Sequence, residues 1–279
     1  MTGGRQHWAQ AAVLGGFSGV APGGPVAQRE AKVLWRRLEW DQARFTTADA
    51  IGWKRNMYRL ENPPQGKSED AVDELWEHFE GPMPEAIART AARQETSQDH
   101  DTLKGYAAAA SVRHPGFAGA VNRWRAERGM PLVAGDLVQM DRVSLLSRAL
   151  SQVEGFRWRI VHRAAPGPRF IISDCTWSYI GHQDRAGRGL WLPLNCDVGL
   201  MGWLQKGASG GFEHATLWPG WALWLNAATW MDAPSFVVGH PDDGDMLGQL
   251  VHIDDVAPEL ERFGPYRDRR IQGLFSDFL

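Results

Sequence analysis

A series of strand-like runs separated by turns occupies residues 156–203, and no other feature restricts the fold of this chain as much. Phe156, Trp158, Ile160 and His162 alternate with Arg157, Arg159 and Val161, a period of two that suits a half-buried strand. A Pro/Gly break at 164–168 forces a turn, because proline fixes φ and glycine opens conformations closed to other residues. Phe170, Ile171 and Ile172 make a short apolar run consistent with a strand buried on both faces. Residues 190–194 are the next strand. Pro193 cannot donate to a ladder, so that strand lies at an edge or breaks there. Residues 198–204 offer a fourth.

Ahead of these runs the apolar spacing is helical. Residues 30–45 read as a helix on Val33, Leu34, Leu38 and Trp40. A second helix opens at 67–70 and carries the stripe Val72, Leu75, Trp76 and Phe79, with Glu74 and Glu80 as solvated charges. Further helices are expected over 84–96, 102–114, 117–128 and 136–153. Asp99 or Asp101 would cap the Ala-rich 102–114 segment, and Pro115 closes it. Arg113 stands at its C-terminal end, where the macrodipole favours a cation. After the strands, 218–232 is a late helix with Pro219 in its first turn and Trp221, Trp224, Leu225 and Ala228 at core spacing. Asn226 falls one position past that stripe. A short strand or turn at 235–238, an acidic loop at 240–245 and a charged tail at 259–279 that docks as an extra helix complete the chain.

Helices followed by strands read as α+β. The expected architecture is a mostly helical N-terminal region packed on a small, mainly antiparallel C-terminal sheet with a late helix. We expect a single domain over 1–279, with a helical part at 1–153, a strand-rich part at 154–240 and a tail at 241–279.

Composition narrows the function classes. The chain has 279 residues, enough for a sizeable core. A net charge of −3 gives no bulk attraction for nucleic acid. Cys175 and Cys196 are too few for a disulfide framework and suit small hydrophobes in a reducing compartment. No CxxC or Cys/His cluster supports a zinc site, and neither a metal nor a cofactor is expected. The glycines at 207–211 do not form a phosphate-binding loop, and the 240–245 run lacks the spacing of a calcium loop. With no apolar stretch of membrane-spanning length and no signal peptide, the expected location is cytoplasmic, with no membrane partner. The 14 tryptophans are scattered, which favours an aromatic core over a Trp-lined pocket for a planar or sugar-like ligand.

Few polar residues stand out. Asp174 ends the most apolar run and is either a turn-former or a site residue. His7 starts a short apolar element at 9–14. These features fall into a pattern that resembles a bacterial family known as domain of unknown function 4238. Its opening motif is similar to Gln6-His7-Trp8-Ala9-Gln10 with Leu14 and Phe17 here. Its helical region is similar to Met57-Tyr58-Arg59, 72–80 and 101–115 with Arg113. Its most recognisable block is similar to Phe170-Ile171-Ile172-Ser173-Asp174-Cys175 and Leu192-Pro193-Leu194, and its late helix to Leu225-Asn226-Ala227. Ala9 and Gln10 stand where the family has a proline and then a basic or glutamine residue, and Cys175-Thr176 where it has Asn-Pro.

The resemblance attaches no activity, but it singles out His7, Arg59, Arg113, Asp174 and Asn226. Such a set suits acid–base chemistry on an anionic small molecule: His7 and Asp174 move the proton, Asn226 orients, and Arg59 and Arg113 hold charge, with Trp177 as an aromatic contact. The expected function is therefore a hydrolase or nuclease-like enzyme. The alternatives are a non-catalytic binding or regulatory protein with a Trp-lined pocket in a defence or toxin-related system, and a specialised biosynthetic enzyme.

Overall fold

The long helices form where the spacing requires them. In the computed structural model, which describes residues 4–20, 27–180, 189–204 and 211–250, the first half carries α1 (Ala11–Gly15), α2 (Ala71–Glu80), α3 (Met83–Ala91), α4 (Ser97–Arg113), α5 (Phe117–Glu127) and α6 (Asp136–Val153). Most of the 207–211 loop and the whole 259–279 tail lie outside the described residues.

The central helix is α4, which packs against α2, α3 and α6. Its middle, Leu103 to Ala110, is buried all round. Alanines and Gly105 suit that position because small side chains let three neighbours approach one axis. Thr96, not Asp99 or Asp101, is the N-cap. The Thr96 hydroxyl accepts from the Asp99 amide at 3.3 Å, and the Asp99 carboxylate accepts from the Thr96 amide at 2.8 Å, a reciprocal capping box. Arg89 of α3 forks onto the same carboxylate at 2.6 and 2.9 Å and holds its pKa down at about 2. At the other end the last carbonyls of α4 are orphans of helix geometry. Arg142 of α6 donates to those of Val112 and His114, and the Tyr58 hydroxyl donates to that of Arg113 at 2.8 Å.

Residues 30–45 are not a helix. They contain β2 (Lys32–Arg37) and the start of β3 (Arg44–Thr47), paired antiparallel from Lys32 opposite Thr47 to Trp35 opposite Arg44. The late strand β11 (Phe236–Gly239) pairs with the other edge of β2, and β6 (Ile172–Ser173) completes a four-stranded sheet in the order β3-β2-β11-β6. Leu34, Trp35, Arg36 and Arg37 gain a ladder partner about two hundred positions away, an interaction that local spacing does not report. Two further short strands, β1 (Arg5–His7) and β4 (Trp53–Arg55), form an antiparallel pair with Gln6 opposite Lys54.

The larger sheet holds β5 (Phe156–Arg163), β7 (Ser178–Ile180), β8 (Gly189–Pro193), β9 (Val198–Leu204) and β10 (Phe212–Leu217) in the order β10-β5-β9-β8-β7. Among the described strands only the β10–β5 pair is parallel. Pro193 ends β8, so the missing donor falls where the strand stops. Of the 170–172 run only Ile172 enters a ladder. The Phe170 amide donates to the Cys196 carbonyl at 2.9 Å and the Ile171 amide to the Asn226 side chain at 3.1 Å.

The late helix α7 (Pro219–Asp232) buries Ala222, Leu225, Asn226, Thr229 and Trp230, a stripe at helical spacing that includes Asn226. Trp221 lies on the other face, 54 % exposed, against the expectation of core. A short α8 (Gly244–Gln249) follows β11. One buried cluster runs from Leu14, Tyr58 and Trp76 through Leu103 and Leu146 to Trp158, Phe170, Trp191 and Leu200, so helices and larger sheet share a core. The fold is α+β.

Candidate acid–base cleft

The N-terminal segment, α2 and the last turn of α4 meet around a cleft of about 370 Å³. Local structure decides which side chains reach it. Pairing with β4 fixes β1, whose Gln6 is buried and whose His7 lines the cleft. In α2, Val72 and Trp76 point to the core. Asp73, Glu77 and Glu80 follow at i, i+4 and i+7 and line the cleft together. Arg5 of β1, Arg29 from the 3-10 turn Gln28–Glu30, Asp49 from the 3-10 turn Ala48–Ala50, and Gln10 also border it.

Arg113 enters from the end of α4 and is buried. It pairs with Glu80, donates to the His7 carbonyl, and lies over the rings of Tyr58 and Trp76 at 5.7 and 5.6 Å. It ties β1 to α2 and α4 and so positions His7. Glu80, expected as solvated charge, is instead the partner of this buried cation.

Two groups in the cleft have shifted acidity. His7 Nε2 lies 3.3 Å from the Asp49 carbonyl oxygen. Burial lowers the imidazole pKa, the Asp49 carbonyl opposes this, and the charges of Arg113 and Arg29 reinforce it. Burial raises the Asp73 carboxyl to about 6. Asp70 and Glu77 add to the rise, while Arg113 and a hydrogen bond from Gln6 oppose it. An imidazole that resists protonation and a carboxyl that keeps its proton up to about pH 6 thus face one cleft.

The structure does not gather the six residues singled out from the sequence. His7 and Arg113 line the cleft together. Asp174 is fully buried elsewhere. One of its oxygens accepts from the amides of Ser235 and Phe236 at 3.2 and 3.4 Å, and the other lies 3.4 Å from His114 Nε2. His114 Nδ1 accepts from the Gly116 amide at 3.0 Å, which leaves the ring proton on Nε2, toward Asp174. Among the described residues no hydrogen bond or ion pair joins His7 to Asp174. Asn226 accepts from the Ile171 amide and donates to the Arg169 carbonyl at 2.7 Å, bridging α7 to the 169–171 segment. Arg59 pairs with Glu69 toward the surface. Trp177 is buried in the main core.

The sequence reading passed over Asp73, Glu77 and Arg29, and named Gln10 only within the opening motif. The signal for the first two was present, since 73, 77 and 80 share a helix face. Nothing local to Arg29 marks it.

A second polar cluster links the turn before α4 to the larger sheet. His214 Nε2 lies 2.5 Å from the Glu95 carboxylate, and its Nδ1 lies 2.9 Å from His162 Nε2. The His100 ring stacks on Phe212 at 3.9 Å. Among the described residues no group of three or more His, Cys, Asp or Glu is arranged to hold a metal ion. Burial raises the thiols of Cys175 and Cys196 to about 12, so neither is a ready nucleophile. No helix among the described residues is long and apolar enough to cross a membrane. No family model, curated protein or solved structure matches the chain.

Proposed function

We propose that the cleft is an acid–base site that hydrolyses a small polar molecule, with His7 as general base and Asp73 as general acid. The observation that carries this reading is the convergence of those two side chains on one cleft, their acidities shifted toward each other from opposite sides. In the proposed reaction neutral His7 takes a proton from an attacking water. The new bond forms between that water and the acyl or phosphoryl centre. The bond to the leaving oxygen breaks, and Asp73 gives that oxygen its proton. Arg5 and Arg29 hold the anionic part of the substrate, and Arg113 keeps the His7 backbone in place. The resemblance to domain of unknown function 4238 with its bacterial setting, and the cytoplasmic location expected from the sequence, belong to the same proposal and supply no activity of their own.

The test is turnover of a nitrophenyl ester and of a bis-nitrophenyl phosphodiester by the full chain. His7→Gln and Asp73→Asn are each expected to lower the rate by about a hundredfold or more. Asp73 keeps its proton up to about pH 6, and the lowered His7 pKa extends the neutral imidazole toward that range. kcat/KM should therefore fall on the alkaline side through about pH 6, and Asp73→Asn should abolish that limb. Rates that neither substitution alters overturn the reading.

One observation favours a second reading, a non-catalytic binding protein. A hollow of about 210 Å³ is lined by Arg157, Trp158, Arg159 and Trp203, with the Arg159 guanidinium 5.6 Å from the Trp203 ring.

A further inference from the structure

We infer that the cleft takes a zwitterion, a small molecule with an ammonium group and an anionic group on one skeleton. The inference rests on the reading of the cleft as a substrate site and adds the class of substrate.

Charge of both signs faces the cleft. α2 contributes Asp73 and Glu77, one turn apart on one face, Arg5 and Arg29 come from β1 and from the 28–30 turn, and Asp49 comes from the 48–50 turn. Glu80 and Arg113 neutralise each other. The Asp49 carboxylate accepts from the Thr47 hydroxyl at 2.7 Å, and Asp73, hydrogen-bonded by Gln6, is the proton donor of the proposed reaction. Among the described residues Glu77, Arg5 and Arg29 form no ion pair. The cleft therefore presents one carboxylate on α2 and two guanidiniums on other elements without ion-pair partners. A simple anion placed there would meet Glu77, and a simple cation would meet Arg5 and Arg29. Each arrangement carries a like-charge cost that a molecule with both charges avoids.

Two buried polar atoms of lining residues point the same way. Gln10 is 8 % exposed, and its amide nitrogen donates to the Glu80 carbonyl at 2.7 Å, while its Oε1 has no partner among the described residues. Arg113 is 2 % exposed, and its Nε likewise has none. Buried polar atoms are ordinarily paired, and an unpaired one carries its full desolvation penalty. Gln10 Oε1 is an acceptor and suits an ammonium N–H. Arg113 Nε is a donor and suits a carboxylate or phosphate oxygen. One unmet acceptor and one unmet donor in the same cleft match a ligand that carries both complements. The volume falls within the range of about 300–1,000 Å³ usual for small-molecule sites.

The test titrates the full chain with γ-aminobutyrate, ε-aminohexanoate and the intermediate and longer ω-amino acids. Hexanoate and hexylamine are the single-charge controls. Binding is followed by calorimetry and by the NMR signals of the His7 imidazole. At least one amino acid is expected to bind about tenfold more tightly than both controls, and Glu77→Gln and Arg29→Gln should each remove that preference. Neither substitution touches the core, and the same spectra report folding. Controls that bind as tightly, a preference that survives both substitutions, or binding by no probe each overturn the inference. Ester and phosphodiester turnover decides separately on the acid–base reading, so the zwitterion can fail while hydrolysis sensitive to Asp73 stands.

Discussion

Asp73 shows how one residue couples the cleft to stability. Its carboxyl is raised to about 6 in the fold, so the folded state holds the proton more tightly than the unfolded chain. The ionised carboxylate therefore costs stability above about pH 6, and the cost vanishes as pH falls toward the unfolded carboxylate value near ~3.9. The rise from the usual carboxylate value to about 6 corresponds to roughly 3 kcal/mol, which solvent on the open side of the cleft reduces to about 1 kcal/mol. Asp73→Asn should raise stability by about that amount at alkaline pH and by nothing in mild acid. Urea denaturation in the two buffers measures it. The neighbouring His7 runs the other way. Its lowered pKa means the fold resists protonation, so its contribution is intact above about 6.5 and declines as pH falls. Glu80 shows why residue-level reading is incomplete: spacing alone makes it a solvated helix charge, and only the arrival of Arg113 from α4 makes it half of a buried pair.

At the scale of elements, β9 owes its packing to glycine. A Cβ at Gly199 would overlap the ring of fully buried Trp191, and one at Gly202 would meet Trp158 and Phe156. Close approach of indole rings to bare backbone places three aromatic side chains over one strand. Gly199→Ala should destabilise the protein by about 1–3 kcal/mol through overpacking. Gly220→Ala, in the first turn of α7 with open space around its Cβ position, should be neutral or stabilising by up to about 1 kcal/mol. Thermal melting of the pair tests both, and equal losses would refute the packing account. The capping box of α4 was partly legible, since Asp99 was identified at that helix start. The cap itself is Thr96, because the hydroxyl sits one position ahead of the helix while Asp99 serves as the reciprocal partner.

Across the whole molecule, buried polar side chains join parts that apolar packing alone does not align. Asn226 connects α7 to the chain entering β6, and Asp174 connects the end of β6 to the start of β11 and to His114 beside α4. Asn226→Leu keeps the volume but leaves the Ile171 amide and the Arg169 carbonyl unpaired, and should cost about 2–3 kcal/mol. Denaturant unfolding reads that loss, and an unchanged midpoint would show the bridge to be dispensable. What the amino-acid order by itself determined was the local part: helices α2 to α6, the period-two strand β5, the strands β8 and β9, the late helix and hence the α+β class. Those patterns act within a few residues, where spacing, caps and prolines decide the backbone. Only the tertiary structure decided that 32–37 is a strand, because its partner β11 is distant along the chain. It also decided that Asp174 braces strands and does not line the cleft with His7. The cleft itself needs residues near 5–10, 29, 49, 73–80 and 113 at once. Charge and desolvation act through space, so a carboxyl on α2 acquires its acidity from groups that the chain order keeps far away.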